Sequence, residues 1–312
     1  MNRVLIVGAN GFVGNYLIKE FLDHDYEIVA SDIQDNLKYN YPVTYETMNI
    51  LDKSKVDEVI KKWIPSFVIN LAAISSVGIS WEIPSKTFEV NVIGTINMLE
   101  SIKKYVPYCK ILLIGSSEEY VQKDRPLKET DELNANNPYG ISKVAQENIA
   151  KMYSERYGLN IICTRSFNHT GPGQSNQFAI PNFCKQVAEI EKSRNPGKIY
   201  VGNLEAYRDI SDVRDVVRIY RLLLEQCKNT FDVFNVGTGN VYQMKEILDI
   251  IISFSSQSIE VQVDPNKIRP IDTPYICCDT KKFNEHFEQP YKSSIKYLLK
   301  SIYEDYLGKT KG

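Results

Sequence analysis

The feature that most constrains the fold is an alternation of short apolar runs with longer amphipathic stretches. The runs are VLIVG (4–8), EIVAS (27–31), SFVINLAA (66–73), KILLIG (110–115) and NIICTR (160–165). Between them lie FVGNYLIKEFLD (12–23), SKVDEVIKKW (54–63), PSKTFEVNVIGTINMLESIKKY (84–105) and PYGISKVAQENIAKMYSERYG (138–158). Runs of that length, apolar throughout and separated by helical periodicity, predict parallel strands buried on both faces beneath helices. The expected class is therefore α/β, a doubly wound parallel sheet of Rossmann type with a smaller C-terminal lobe. After residue 165 the rhythm breaks at SFNHTGPGQSNQ (166–177) and again at DPNKIRPIDTP (264–274), both rich in turn residues. The reading assigns 1–167 to the dinucleotide-binding domain, with 209–245 returning to it. Segments 168–208 and 246–312 form the second, substrate-binding lobe.

Composition removes several classes of function. A chain of 312 residues, 43% hydrophobic, can bury a large core, and its net charge of −2 comes from interspersed acids and bases. No basic stripe suits nucleic acid, and no apolar run approaches a membrane span. MNR runs directly into the first strand, which leaves no room for a signal peptide. The six cysteines, at 109, 163, 184, 227, 277 and 278, lack CxxC spacing and His partners. They are expected to be reduced thiols in a cytoplasmic protein that binds no metal.

Directly after the first strand stands GANGFVG, with Gly8, Gly11 and Gly14 in a GxxGxxG pattern. Glycine is needed where backbone must pass close to backbone, and the helix that follows offers its N-terminal amides to a pyrophosphate. A glycine triplet could equally close a tight turn, but Asp32 ends the second strand at the expected distance. A carboxylate there accepts hydrogen bonds from ribose hydroxyls and repels a 2′-phosphate, so the expected cofactor is NAD rather than NADP. Asn49 follows the third strand, where it could reach adenine; nearby Asp52 could do the same or simply cap a helix.

Near the start of a later helix, Tyr139 and Lys143 stand four residues apart and project from one face. An ammonium beside a phenol favours phenolate and lowers its pKa. A surface Tyr–Lys pair on an amphipathic helix would look the same.

Taken together, the glycine pattern, Asp32, NLAA (70–73), NVIGT (91–95), SSEEY (116–120) and YGISK (139–143) resemble the extended short-chain dehydrogenase/reductase family over essentially the whole chain. The resemblance implies a proton relay of Ser116, Tyr139 and Lys143, with Tyr120 structural. It implies cofactor contacts from Gly8, Asn10, Gly11, Phe12, Val13, Gly14, Asp32, Asn49, Ile50, Leu71, Ala72, Ala73, Asn91, Tyr139 and Lys143. Val121 departs from the glycine usual in that family. FNHTGPGQ (167–174), VGNLEAYRDISDVRD (201–215) and IRPID (268–272) look like the branch acting on GDP-linked manno-type sugars. That branch includes GDP-4-keto-6-deoxy-mannose reductase and, more distantly, GDP-mannose 4,6-dehydratase.

By that likeness Asn168, Arg208 and Arg269 should meet the diphosphate of a GDP-sugar substrate, and Asp272 its ribose. Arg208 could instead pair with Asp209 or Asp212. His169 is expected to order its loop. Ser75, Ser76 and Ser117 are candidate sugar contacts. Three outcomes fit such a site: oxidation at C4, reduction of a 4-keto sugar, or 4,6-dehydration. Glu118 stands where dehydratases carry their acid/base glutamate, but the arginine pair that usually follows in them is absent. Asp32 leans the reading toward NAD-dependent oxidation at C4 of a hexose or heptose, in capsule or O-antigen synthesis. A non-catalytic NAD-binding regulator is the alternative of a different class. The likeness also implies a homodimer through the helices at 84–105 and 138–158.

Overall fold

A computed structural model describes residues 2–267, 273–288 and 291–308. Seven parallel strands form the main sheet, in the spatial order Phe231–Val236, Asn160–Ser166, Lys110–Ser116, Phe67–Asn70, Arg3–Val7, Glu27–Asp32, Thr44–Thr47. The α/β doubly wound class read from the alternation is the one observed. The register runs Leu5 beside Val29 on one side and Val68 on the other. Because chain order reverses on either side of Arg3–Val7, a crevice opens at the carboxyl ends of that strand and Phe67–Asn70.

Each apolar run is buried on both faces, as parallel packing demands. One face packs the helices Phe12–Leu22 and Val213–Gln226 in a cluster centred on Ile6, Leu17, Phe21, Tyr220 and Phe234. The other packs Lys53–Trp63, Gly94–Tyr105 and Pro138–Tyr157 around Leu5, Val59, Met98 and Leu113. Helix ends follow local chemistry: Asp52 caps Lys53–Trp63 by accepting from the amide of Lys55, and Gly158 closes Pro138–Tyr157 in the left-handed conformation.

A second, mixed sheet joins Asn168–Thr170, Tyr207–Asp212, Val241–Gln243 and Tyr275–Ile276, and a parallel pair joins Gly197–Val201 to Ile259–Val263. A separate apolar cluster around Phe183, Ile199, Ile247 and Leu299 lies among the helices of this region. The segment 209–245 is thus divided. Val213–Gln226 and Phe231–Val236 lie with the large sheet, whereas Tyr207–Asp212 and Val241–Gln243 lie in the small one.

The predicted helix at 84–105 is interrupted. It runs Pro84–Phe88, passes through a π-turn at Glu89–Ile93 and resumes at Gly94–Tyr105. All six cysteines are free and buried. Among the described residues no helix is long and apolar enough to cross a membrane.

Candidate active site

At the crevice, Gly8 adopts φ +86, and a side chain there would meet the Ala72 amide nitrogen at 2.8 Å. At Gly14 a Cβ would lie 2.4 Å from the Ala9 carbonyl oxygen. Both positions therefore exclude any larger residue. Gly11 caps the helix Phe12–Leu22 without a side-chain bond, so the first-turn amides carry no side-chain partner and face the crevice. Leu71 is held by a bond from its amide to the Val7 carbonyl, and Ala72 by one to the Asn70 side chain; Ala73 follows, half-buried. The uncapped helix end, the close-packed glycines and the strand-end acid together fit a dinucleotide.

Asp32 ends its strand half-buried, accepting from the Asn10 amide at 3.0 Å and the Gln34 amide at 3.4 Å. Asn10, expected on the cofactor, spends its side chain on the chain itself. Its amide group donates to the Gln34 side chain, the Asn36 carbonyl and the Tyr45 hydroxyl, and its oxygen accepts from the Lys38 amide at 2.7 Å. Asn10 thus clips the loop after Asp32 onto the glycine turn. Asn49 folds back on the Leu51 amide, and buried Ile50 packs where Gly94 leaves no room for a Cβ. Phe12 stacks on His169, whose ring bonds to the Phe167 carbonyl. Burial holds that imidazole below its usual pKa, which suits a residue that orders its loop. Val13 sits half-buried in the same first turn.

The residues from the other two motifs converge beside this cradle. Ser116 ends its strand, accepts from the Glu118 amide at 3.2 Å and donates its own amide to Glu119 at 2.6 Å. Tyr139 opens the helix Pro138–Tyr157, whose start is encoded by Asn137 as cap and Pro138 in the first turn. The Ser116 hydroxyl is close enough to its phenol to act on the phenol's ionisation. Ser117 is buried beside it. Glu118 accepts from Asn137 at 3.0 Å, which ties the strand-end turn to the cap of the tyrosine helix.

Lys143 lies over the Tyr139 ring, with its amine held by the protein rather than bonded to the phenol. Its Nζ lies 5.9 Å from the Tyr139 ring centre and donates to the Ile114 carbonyl at 2.7 Å and Gln146 at 3.1 Å. Burial, with Glu118 and Glu119 nearby, pushes the phenol above its usual pKa in the protein alone, and the nearby Ser116 hydroxyl opposes this. Burial pushes the Lys143 amine down. The shared helix face was legible from spacing; the backbone carbonyl that captures the amine was not.

Asn91 also departs from a direct cofactor role. Fully buried, it accepts from the Ile74 amide and donates to the Ile74 carbonyl and the Ser142 hydroxyl. It clamps the loop after Phe67–Asn70 to the tyrosine helix, and the π-turn gives it the room to do so. Ser76 caps Val77–Glu82 through the Ile79 amide, and Ser75 is exposed. Tyr120 is structural, bonded to Asn235 and Arg165. Three contributors went unread in the sequence. Ser80 accepts from the Tyr139 amide, Gln146 holds Lys143, and Asn137 holds Glu118. Only Asn137 had a local signal, Asn before Pro at a helix start.

Asn168 lies on the small sheet, register-paired with Ile210 and therefore on the same face as Arg208. Asp209 is buried under bonds from the Thr238 amide and hydroxyl, Gly239 and Cys278, and Asp212 is engaged by Arg214. Arg208 donates to the Tyr207 carbonyl. Arg269 and Asp272 lie outside the described residues.

A reversal-point crevice with a glycine cradle on one side and a serine strand end meeting a tyrosine helix on the other defines an enzyme of the short-chain dehydrogenase/reductase type. The chain belongs to the GDP-mannose 4,6 dehydratase family, whose profile matches residues 5–302. It is 25% identical to GDP-6-deoxy-D-mannose reductase of Pseudomonas aeruginosa, over 97% of each chain. It is 27% identical to GDP-6-deoxy-D-talose 4-dehydrogenase of Aggregatibacter actinomycetemcomitans, over 98% of each. UDP-glucose 4-epimerase of Thermus thermophilus, solved with NAD, superposes with a TM-score of 0.86 at 25% identity, over 99% of this chain and 100% of that one. Other solved structures of this fold carry NAD or NADPH.

Proposed function

We propose that this protein is an NAD-dependent oxidoreductase acting at C4 of a GDP-linked manno-type sugar, hexose or heptose, with oxidation favoured over reduction. The observation that carries the reading is the junction of the serine strand end with the start of the tyrosine helix beside the glycine cradle, where Asn137 caps the helix and donates to Glu118. The residues fit a nicotinamide dinucleotide: Gly8, Gly11 and Gly14 with the first-turn amides would hold its pyrophosphate and Asp32 its adenosine ribose. When bound, it supplies hydride transfer at C4.

In oxidation Tyr139 takes the proton from the sugar O4, and in reduction it returns one. Ser116 orients the sugar oxygen and stabilises the ionised phenol by donating to it. Lys143, seated on Ile114 and Gln146, brings positive charge to the buried side of the phenol. Asn168 and Arg208, on one face of the small sheet, suit the diphosphate of the substrate, Arg208 through its planar fork. Asp32 supports NAD, a cofactor suited to oxidation. Two relatives carry names on either side of this C4 redox step, a reductase and a 4-dehydrogenase.

The test is incubation with NAD or NADH and a panel of GDP-, UDP- and dTDP-sugars, read by mass spectrometry and NMR. Conversion of a GDP-sugar between 4-hydroxyl and 4-keto forms supports the reading. Absence of any change at C4 with the whole panel sinks it and favours a non-catalytic dinucleotide sensor.

One observation favours a second reading, 4,6-dehydration. Glu118 is held by Asn137 close enough to Tyr139 to act on its ionisation, as an acid/base at C5 and C6 would need to be. If that reading is right, Glu118→Gln abolishes a product lacking the C6 hydroxyl while C4 exchange continues. Under the C4 redox reading the substitution leaves turnover within a few-fold.

We also infer a cytoplasmic homodimer through the helices at 84–105 and 138–158. Apolar side chains exposed on this helical layer support it, among them Trp81, Phe88, Ile93 and Ile141. The pathway reading is capsule or O-antigen synthesis.

A further inference from the structure

We propose that Asn10 is a specificity-determining positioning residue, whose side chain clasps the loop after Asp32 so that the acid stays fixed toward a ribose diol and against a 2′-phosphate. The proposal deepens the NAD-dependent reading and rests on it for the identity of the ligand.

The strand Glu27–Asp32 is followed by residues 33–43, which form no helix or strand and are mostly exposed. Such a segment keeps one shape only where side-chain contacts fix it. Here one side chain does most of the fixing. Asn10, 9% exposed in the glycine turn, uses both ends of its carboxamide. Its two N–H hydrogens are shared among the Gln34 side chain at 3.2 Å, the Asn36 carbonyl at 3.0 Å and the Tyr45 hydroxyl at 3.3 Å. Its oxygen accepts the Lys38 amide at 2.7 Å. The Tyr45 hydroxyl donates in turn to the Gln34 carbonyl at 2.5 Å. A separate tie lies further along, where the Tyr41 hydroxyl donates to Asn15 on the helix Phe12–Leu22 at 2.6 Å. Leu37 and Val43 add apolar contact with the core beneath.

The same clasp sets Asp32. Each of its carboxylate oxygens is met by a backbone amide, one from Asn10 itself at 3.0 Å and one from Gln34 at 3.4 Å. Those two amides belong to the two pieces of chain that the Asn10 side chain ties together. The acid therefore cannot swing aside unless the loop comes away from the glycine turn. A carboxylate held at that place accepts from ribose hydroxyls and repels a phosphate on the same ring. On a loose loop it would turn away and admit the phosphate. Discrimination by repulsion works only if the repelling group stays where it is, and a loop tied before the ligand arrives also spares the ordering cost of binding.

Asn10→Ala keeps the backbone amide that meets Asp32 and removes only the side-chain ties. Dissociation constants of NAD and NADP are measured by calorimetry in wild type and variant, and exchange of the Lys38 amide is followed by NMR in the free protein. In the variant that amide should exchange faster, and NAD should bind about three- to tenfold more weakly, the net worth of one hydrogen bond. The NADP to NAD ratio of dissociation constants should fall by a similar factor, because NADP is relieved of repulsion as NAD loses a partner.

A merely structural Asn10 would weaken both dinucleotides equally. An unmoved ratio therefore overturns the proposal, as do an unmoved Lys38 amide and a wild-type preference for NADP. If Asn10→Ala does not fold, Tyr41→Phe, which cuts the tie to Asn15 alone, decides by the same ratio: a fall supports the clasp and no change overturns it. Wild-type protein that binds neither dinucleotide sinks the oxidoreductase reading and the clasp together. Binding of NAD with a ratio unmoved in the variant sinks the clasp and leaves that reading standing.

Discussion

Tyr139 is poised by influences of different kinds: its backbone amide is fixed by Ser80, and its charge state is set by burial, the nearby Ser116 hydroxyl and the carboxyls of Glu118 and Glu119. In the protein alone burial and those carboxyls disfavour phenolate. The expected consequence is that Tyr139→Phe lowers kcat by about 10² to 10⁴, the usual worth of a positioned acid/base. Dinucleotide affinity should stay within a few-fold in that variant, as measured by fluorescence titration, and full activity would remove the tyrosine from the chemistry.

Asp32 is the other residue whose role reduces to a charge. Its carboxylate accepts from the amides of Asn10 and Gln34 and is half-buried. Asp32→Ala should shift the ratio of NADP to NAD dissociation constants toward NADP by about tenfold, the worth of one charged hydrogen bond plus relief of repulsion. An unchanged ratio in calorimetric titrations with both cofactors would argue against a ribose contact.

At the scale of elements, the tyrosine helix depends on its first residues more than on its length. Asn137 caps it through the Gly140 amide at 2.9 Å and reaches Glu118 with its other group. Replacing Asn137 with Ala should cost ~1 kcal/mol of stability, as loss of a helix cap does. It should also lower turnover, because the strand-end turn loses its tether to the helix. Chemical denaturation and kcat measured together check both. A stability loss without a kinetic one would confine Asn137 to capping.

The same logic explains why the helix expected over 84–105 is not continuous. Asn91 must turn inward to meet both Ile74 and Ser142, and one wider turn at Glu89–Ile93 accommodates it. Nothing in the local sequence marks this, since Val90, Asn91, Val92 and Ile93 have ordinary helical spacing. The requirement comes from a loop seventeen residues away and from a different helix.

For the whole molecule, the layer of helices that packs behind the site carries apolar side chains with no cover in a single chain. Ile93 is 48% and Ile141 46% exposed, with Trp81 at 59%. Light scattering should give twice the 35.8 kDa chain mass, and Ile141→Asp should shift the protein toward monomer. A wild-type protein that is monomeric at micromolar concentration would refute the dimer.

At this scale the small sheet also shows how function is gathered. Asn168 and Arg208, forty residues apart in sequence, share one face only because Asn168–Thr170 runs parallel to Tyr207–Asp212.

The order of strands and helices, the glycine cradle, the strand-end acid and the tyrosine helix were all legible in the chain. Each is a local matter of periodicity, steric exclusion or capping, and local preferences are written in neighbouring residues. The partners of the polar side chains belonged to the tertiary structure. Spacing put Lys143 on the tyrosine's helix face but not its amine on Ile114 and Gln146, and Asn10 was free to meet the cofactor until the loop after Asp32 claimed it. Which groups pair inside a protein depends on which carbonyls and amides folding leaves within three ångströms, and that is settled by packing between distant segments.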